Sequence, residues 1–190
     1  MRSRHRAAAI GAALTAVEHD ANSRGWDALP ALLGLFDATT DRHQPHIAID
    51  VLGVDPAFWW LHEQTVPGMR LPYGVGLKTL TAHLVGPDAP ATLARWAGQR
   101  RLAGMAFLAE GLDTSDAGRR DAAAHGLCAG PDGVPVRVLT ACDVDGRHYQ
   151  ILRVRGAATT RTTILDDPPA RVRASVIPAC LHRLLAAARP

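Results

Sequence analysis

The sequence has few of the residues that characterise secreted, metal-binding or membrane proteins. Its three cysteines, Cys128, Cys142 and Cys180, are widely spaced, and no Cys-x-x-Cys pair occurs. An odd number of separated cysteines argues against a disulfide framework and a zinc ribbon, so we expect a reducing, cytoplasmic location. No apolar run approaches the roughly 20 residues of a transmembrane helix, so no membrane partner is predicted.

Charge and catalytic motifs are scarce as well. The net charge is only +3, and a chain with so little excess charge does not attract nucleic acid strongly. The sequence contains no Gly-x-Ser-x-Gly, no phosphate-binding P-loop and no Gly-x-Gly-x-x-Gly. It therefore predicts no cofactor and favours a protein without catalysis, although an active site assembled from distant residues leaves no local motif.

The composition that remains is that of one globular domain. The 190 residues are 47% apolar and 21% charged, which is typical of a globular chain. A chain of this length buries about 70% of the surface that its unfolded form exposes. We therefore expect a single domain over residues 1–190.

The N-terminal residues predict an amphipathic helix from about His5 to Ser23. The chain begins with a basic and then Ala-rich stretch, as a signal peptide does, but no Ala-x-Ala site follows and the next residues are Glu18-His19-Asp20. At helical spacing, one face of this segment is apolar. That face carries Ile10, Leu14, Val17 and Ala21.

The clearest structural signal is the segment Val134–Asp166, in which two β-rich runs flank Asp145-Gly146. Asp-Gly favours a two-residue hairpin turn, because both central residues of such a turn need positive φ. This turn places Cys142 opposite Tyr149. A Thr-rich run, Thr159–Leu165, then completes a three-stranded antiparallel meander.

The other predicted elements are grouped by type rather than alternating. Leu102–Leu112 is interpreted as a buried strand, Val66–Gly76 as a loop and Ser115–Gly133 as a mobile insertion. Asp167-Pro168-Pro169 begins the last helix, which Pro178 should kink or split. Grouped strands predict an α+β fold, with an antiparallel sheet packed by N-terminal, central and C-terminal helices. The remaining strands are Ala31–Phe36 and His46–Val51. The remaining helices are a short one after Asp55-Pro56, one marked by Leu77, Leu80 and Leu84, and one capped by Asp88 with Leu93, Trp96 and Ala97 facing inward.

In outline the chain resembles a group of uncharacterised actinobacterial proteins of about this size. The resemblance rests on a first helix followed by Gly25-Trp26-Asp27 and an apolar strand, and on a late hairpin with the charged tip Asp143–Arg147 before a closing apolar helix. His43–Gln64 departs from that pattern. The resemblance implies no activity and assigns no functional residue.

His43, His46 and His62 form the one local group of potential metal ligands. A loop can place two histidines on one ion, and Asp41 or Glu63 can complete the site of a small metal-assisted hydrolase. The spacing lacks the helical His-Glu-x-x-His context that makes such pairs informative. Polar loop histidines are therefore the preferred interpretation, and we predict no bound metal.

Cys142 and His148 lie close together in the predicted hairpin and suggest a cysteine nucleophile with a histidine base. The predicted register places the two side chains on opposite faces of the sheet, which argues against that pair. A buried structural cysteine is the preferred interpretation.

Arginines make the predicted meander basic. Arg153 and Arg155 share one face and can engage a phosphate backbone, as in a nucleic-acid accessory protein. No aromatic pair for base stacking accompanies them, and charge pairing with nearby aspartates is the alternative. Nucleic acid is therefore not the favoured partner.

The most unusual local feature is Phe58-Trp59-Trp60. Adjacent tryptophans on a helix point about 100° apart, so a short helix does not bury both on one side. Tryptophan is also enriched at binding hot spots, whereas burial of both indoles beneath Val66–Gly76 is the alternative. We therefore predict a non-catalytic module that binds a protein partner or a second copy of itself through Phe58, Trp59, Trp60, Arg153 and Arg155.

Overall fold

The computed structural model of the protein describes residues 2–39, 45–61, 73–87 and 91–189. Its strands form one antiparallel sheet in the order β2-β1-β3-β4-β5-β6. This confirms the predicted α+β fold with an antiparallel sheet. The strands are β1 (Ala31–Asp37), β2 (Ile47–Leu52), β3 (Leu102–Asp113), β4 (Val134–Asp143), β5 (His148–Val154) and β6 (Arg161–Leu165).

Helices cover both faces of the sheet. The long first helix packs on one face, and the last helix, together with the third, packs on the other. We call these the α1 face and the α7 face. The helices in the described residues are α1 (Arg2–Arg24), α2 (Pro56–Leu61), α3 (Tyr73–Val85), α4 (Thr92–Ala97), α5 (Asp116–Ala124), α6 (Ala170–Arg173) and α7 (Val176–Ala187).

The central strands are apolar on both sides because each side of the sheet has its own core. Side chains alternate along a strand, so neighbouring residues of β4 enter different cores. Leu139 and Ala141 pack with Ile10 and Leu14 of α1. Cys142 instead packs in the core that contains Leu181 of α7.

The β4–β5 hairpin has a longer turn than the Asp145-Gly146 dipeptide predicts. The Asp143 N–H donates to the Arg147 carbonyl (3.1 Å), and the Gly146 N–H donates to the Asp143 carbonyl (3.1 Å). The loop is therefore the three residues between Asp143 and Arg147, and Cys142 lies opposite His148 rather than Tyr149. The Asp143 side chain explains the difference, because its Oδ1 accepts from the N–H groups of Asp145 (2.8 Å) and Arg147 (2.9 Å). Gly146 has φ 84°, so its predicted positive φ is confirmed.

Two segments interpreted as loops contain helix. Asp116–Ala124 is helical within the predicted insertion. Ser115 caps it, because its Oγ accepts from the Gly118 N–H at 3.1 Å. Tyr73–Gly76, the end of the predicted Val66–Gly76 loop, forms the first turn of α3. Residues 66–72 lie outside the described part of the chain.

The C-terminal helix is split, but four residues before Pro178. The break falls at Ala174-Ser175, between α6 and α7. Pro178 is the third residue of α7. In the first turn of a helix the N–H groups have no partner within the helix, so the missing N–H of Pro178 breaks no helical hydrogen bond.

A buried carboxylate attaches α1 to the sheet. Glu18 is fully buried and accepts from Arg153 Nε (2.8 Å) and Nη2 (2.7 Å). Arg137 Nη1 lies 3.7 Å from the same carboxylate. Arg137 in turn donates to Glu110 (2.7 Å), and its guanidinium lies 4.4 Å from the centroid of the Trp26 ring. Arg137 thereby holds the loop after α1, which contains Trp26, against the buried ion pairs of Glu18.

Replacing Gly146 by valine should destabilise the fold by about 1 kcal/mol or more, because a β-branched residue resists positive φ. Gly111→Val is the matched control. A Cβ at either glycine meets nothing within 4 Å, and Gly111 lacks the positive φ. Urea unfolding measures both free energies. Equal midpoints for the two variants would show that the turn does not impose the backbone conformation.

Candidate functional site

A pocket of about 280 Å³ opens on the α7 face, where β2 ends. Its apolar walls combine residues from β2, α2 and α3, whereas its exposed polar residues come from α3 and from the starts of α2 and α4. An apolar concavity with a polar rim is the usual form of a binding site. The lining residues are Leu52, Gly53, Val54, Asp55, Phe58, Leu80, His83, Leu84 and Thr92.

Local sequence places each wall of this pocket. Asp55 begins α2, since its Oδ1 accepts from the Ala57 N–H (2.9 Å). This start places Phe58 in the first turn of the helix, directly beside the end of β2. Leu80 and Leu84 are four residues apart in α3 and therefore present one wall.

Trp59 packs beneath the pocket. It is 2% exposed, and its ring centroid lies 5.2 Å from that of Phe58 and 6.0 Å from that of Phe107 in β3. Of the three aromatic residues predicted to bind, Phe58 thus lines the pocket and Trp59 belongs to the core. The backbone of Trp60 continues α2, but its side chain lies outside the described residues, so its predicted exposure stays a prediction.

Arg153 is a structural residue of the α1 face. It is 4% exposed, and its three guanidinium nitrogens contact Glu18 and the carbonyls of Ala157 (3.0 Å) and Ala158 (3.1 Å). Arg155 is exposed and pairs with Asp27 at 3.0 Å. The two arginines share a face, as predicted, but both are engaged by carboxylates of the same chain, so the geometry offers no free arginine pair for phosphate.

Cys142 and His148 are neighbours because the register of the β4–β5 hairpin differs by one residue from the predicted register. They lie directly opposite each other in β4 and β5, so both side chains point to the α7 face. Because Asp143 and Arg147 are hydrogen-bonded, Cys142 and His148 form the next, non-hydrogen-bonded pair, in which side chains approach most closely. This corrects the prediction that the two side chains occupy opposite faces.

The environment of this pair suppresses its reactivity. Burial and the neighbouring Asp143 charge raise the pKa of the Cys142 thiol to about 12, so the thiol is protonated at neutral pH. Burial and the nearby His182 of α7 lower the pKa of His148, so the imidazole is neutral. A thiolate is the reactive form of cysteine, and the pair does not supply one.

His148 nevertheless has an unusual feature. It is 7% exposed, and neither of its ring nitrogens has a protein hydrogen-bond partner among the described residues. A buried polar group without a partner costs about 1–3 kcal/mol. Sequence reasoning missed this feature because the predicted register separated His148 from its neighbours.

Only one of the three histidines predicted as potential metal ligands lies in the described part of the chain. His43 and His62 lie outside the described residues, and His46 is exposed beside β2. Within residues 2–39, 45–61, 73–87 and 91–189, no group of three or more His, Cys, Asp or Glu side chains is arranged to hold a metal ion.

Comparisons with protein-family models, with curated protein sequences and with solved structures give no significant match for this chain. In the described part of the chain, no helix is both long and apolar enough to cross a membrane.

The lowered pKa values of His148 and His182 predict a loss of stability in acid. Burial lowers both pKa values from about 6.5, so below that pH the unfolded chain binds more protons than the folded chain does. Stability should be full above that value and decrease as pH falls below it. His148→Leu should reduce the slope of the free energy of unfolding against pH. At pH 7 the free energy of unfolding should be unchanged or higher, because the substitution removes the two ring nitrogens that have no hydrogen-bond partner among the described residues.

Urea unfolding from pH 7.5 to 5 measures this slope, with the exposed His19→Leu of α1 as the control. A wild-type slope that His148→Leu leaves intact would show that His148 does not take up the proton.

Proposed function

We propose that the protein is a non-catalytic binding protein, and that the pocket beside Phe58 receives an apolar side chain of a protein partner. The single observation that carries the proposal is the pocket itself, with Leu52, Leu80 and Leu84 in its walls and exposed Asp55, His83 and Thr92 around it. We further propose a cytoplasmic location, supported by three free cysteines.

The pocket is small for a ligand site, which suits a single side chain of a partner. Ligand sites for small molecules typically measure about 300–1,000 Å³, and this pocket, at about 280 Å³, lies just below that range. Large apolar anchors that fill such pockets are the usual hot spots of protein interfaces. The two exposed groups Asp55 and His83 can orient the backbone or polar end of the anchor.

Catalysis is not favoured, because Cys142 and Tyr149, two buried groups that could act as nucleophiles, are held protonated. Burial, followed by the hydrogen bond to Asp143, raises the pKa of Tyr149 well above its ordinary value. The Cys142 thiol is protonated as well. The hydrolase alternative rests on His43 and His62, which lie outside the described residues.

Two probes, N-acetyl-tryptophanamide and N-acetyl-leucinamide, should bind in the pocket of the full chain. Burying one such side chain contributes about 2–3 kcal/mol, which corresponds to a dissociation constant on the order of 10 mM. Titration followed by ¹H–¹⁵N NMR should give saturable shifts confined to residues 52–58 and 80–84.

Leu84→Trp should fill the pocket and abolish these shifts at an unchanged melting temperature. Leu112→Trp, at an exposed leucine of β3, is the matched control and should retain them. Shifts that persist in Leu84→Trp, or that scatter over the surface in the wild type, would contradict the proposal.

A further inference from the structure

The outer edge of β2 has no partner strand among the described residues. β2 is the first strand of the sheet order, and β1 pairs with its other side. The Ala38 N–H donates to the His46 carbonyl (3.0 Å), which fixes the alternation of the ladder. Ala48, Asp50 and Leu52 therefore turn their backbone groups toward β1. Ile47, Ile49 and Val51 turn their N–H and C=O groups outward.

This edge lacks most of the features that prevent strand addition. Protected edges carry proline, lysine or inward-pointing charge, whereas Ile47–Leu52 contains no proline and no lysine. All three outward-turned residues are β-branched, which favours strand pairing. Val51 is also 57% exposed and is the most exposed of the large apolar side chains in the described part of the chain.

We propose that two copies of the protein associate by antiparallel pairing of their β2 strands, about a two-fold axis through Ile49. In this register Ile49 lies opposite its own copy, and each Val51 lies opposite the partner's Ile47. The exposed Val51 side chain then gains an apolar neighbour on the α1 face. A two-fold interface needs a surface that is complementary to itself. Here every facing pair of outward-turned residues is apolar and β-branched, because Ile49 faces Ile49 and Val51 faces Ile47.

Charge is compatible with the same register. Asp50 is the one charged residue of β2, and its carboxylate accepts from Arg100 Nη1 at 2.7 Å. In the dimer each Asp50 lies opposite Ala48, and the two Asp50 residues are diagonal neighbours about 7 Å apart. Both members of the Asp50–Arg100 pair are nearly half exposed. The two pairs can therefore combine into one alternating four-charge group instead of repelling each other.

The opposite edge of the sheet is a poorer match for a second copy. β6 has five residues, and its Arg161 is half exposed and pairs with Asp121 of α5 at 3.6 Å. A two-fold axis through β6 would set this charged end against the other end of the strand, which is apolar. The β2 edge is the more self-complementary of the two.

Sedimentation equilibrium of the full chain, from about 1 µM to about 1 mM, tests the proposal. The apparent mass should rise from that of one 20.2 kDa chain to twice that value. Val51→Lys should raise the dissociation constant at least tenfold, because it places two lysines at the ends of the paired strands. Leu112→Lys is the matched control, since Leu112 is equally exposed at 56% but lies on β3; it should dimerise as the wild type does.

Ile49→Pro is the second variant. Its N–H points outward, so proline removes no hydrogen bond within the chain, and an unchanged circular dichroism spectrum confirms that it folds. This variant should be monomeric over the whole concentration range. A wild type that stays monomeric at about 1 mM, or dimers that survive in both Val51→Lys and Ile49→Pro, would overturn the proposal, whatever the result for the pocket.

Discussion

The carboxylate of Glu18, shared by two buried arginines, is the interaction on which the arrangement of the fold depends. Burying a charge is costly unless it is paired and hydrogen-bonded. Glu18 meets this condition by accepting two hydrogen bonds from Arg153, with Arg137 close by. Because the arginines stand on β5 and β4, the carboxylate fixes where α1 crosses the sheet. Arg137 then extends the constraint to Trp26, and so to the turn that leads into β1.

The buried polar groups differ between the two faces of the sheet. On the α1 face, the buried polar groups are engaged with one another: Asp143 accepts from Tyr149 (2.8 Å), and Glu18 accepts from Arg153. On the α7 face, the polar groups Cys142 and His148 are neutral, and the pocket beside Phe58 is walled by leucines. The pocket beside Phe58 therefore offers a partner an apolar surface on the α7 face, while the buried ion pairs of the α1 face hold α1 on the sheet.

The local sequence pattern was enough to predict most of the strands of the sheet. It was not enough to predict how those strands pair. The strands around Leu32, Phe107 and Ile151 were predictable because their apolar runs are bounded by turns. The hairpin register was missed by one residue, because the decisive contacts come from the Asp143 side chain rather than from Asp-Gly. That error also concealed the Cys142–His148 pair.

The candidate site was predictable only in part, for a similar reason. Phe58 was identified by its unusual neighbours, but Leu80 and Leu84 beside it had been assigned only to a helix face. Arg153 was predicted to bind a ligand because its partner Glu18 lies 135 residues away, beyond what any spacing reveals. The α5 helix was missed because its composition, rich in Ala, Asp and Arg, resembles that of an exposed loop.

A double-mutant cycle on Glu18 and Arg153 tests the central claim most directly. Glu18→Gln and Arg153→Met should each lower the free energy of unfolding by about 3–5 kcal/mol, because each leaves a buried charge without its partner. The double mutant should lose much less than the sum. Arg155→Met, which removes the exposed pair with Asp27 and a cation–π contact with Trp26, should cost less than about 2 kcal/mol. Losses that add within about 0.5 kcal/mol would show that the two side chains act independently, and would contradict the account.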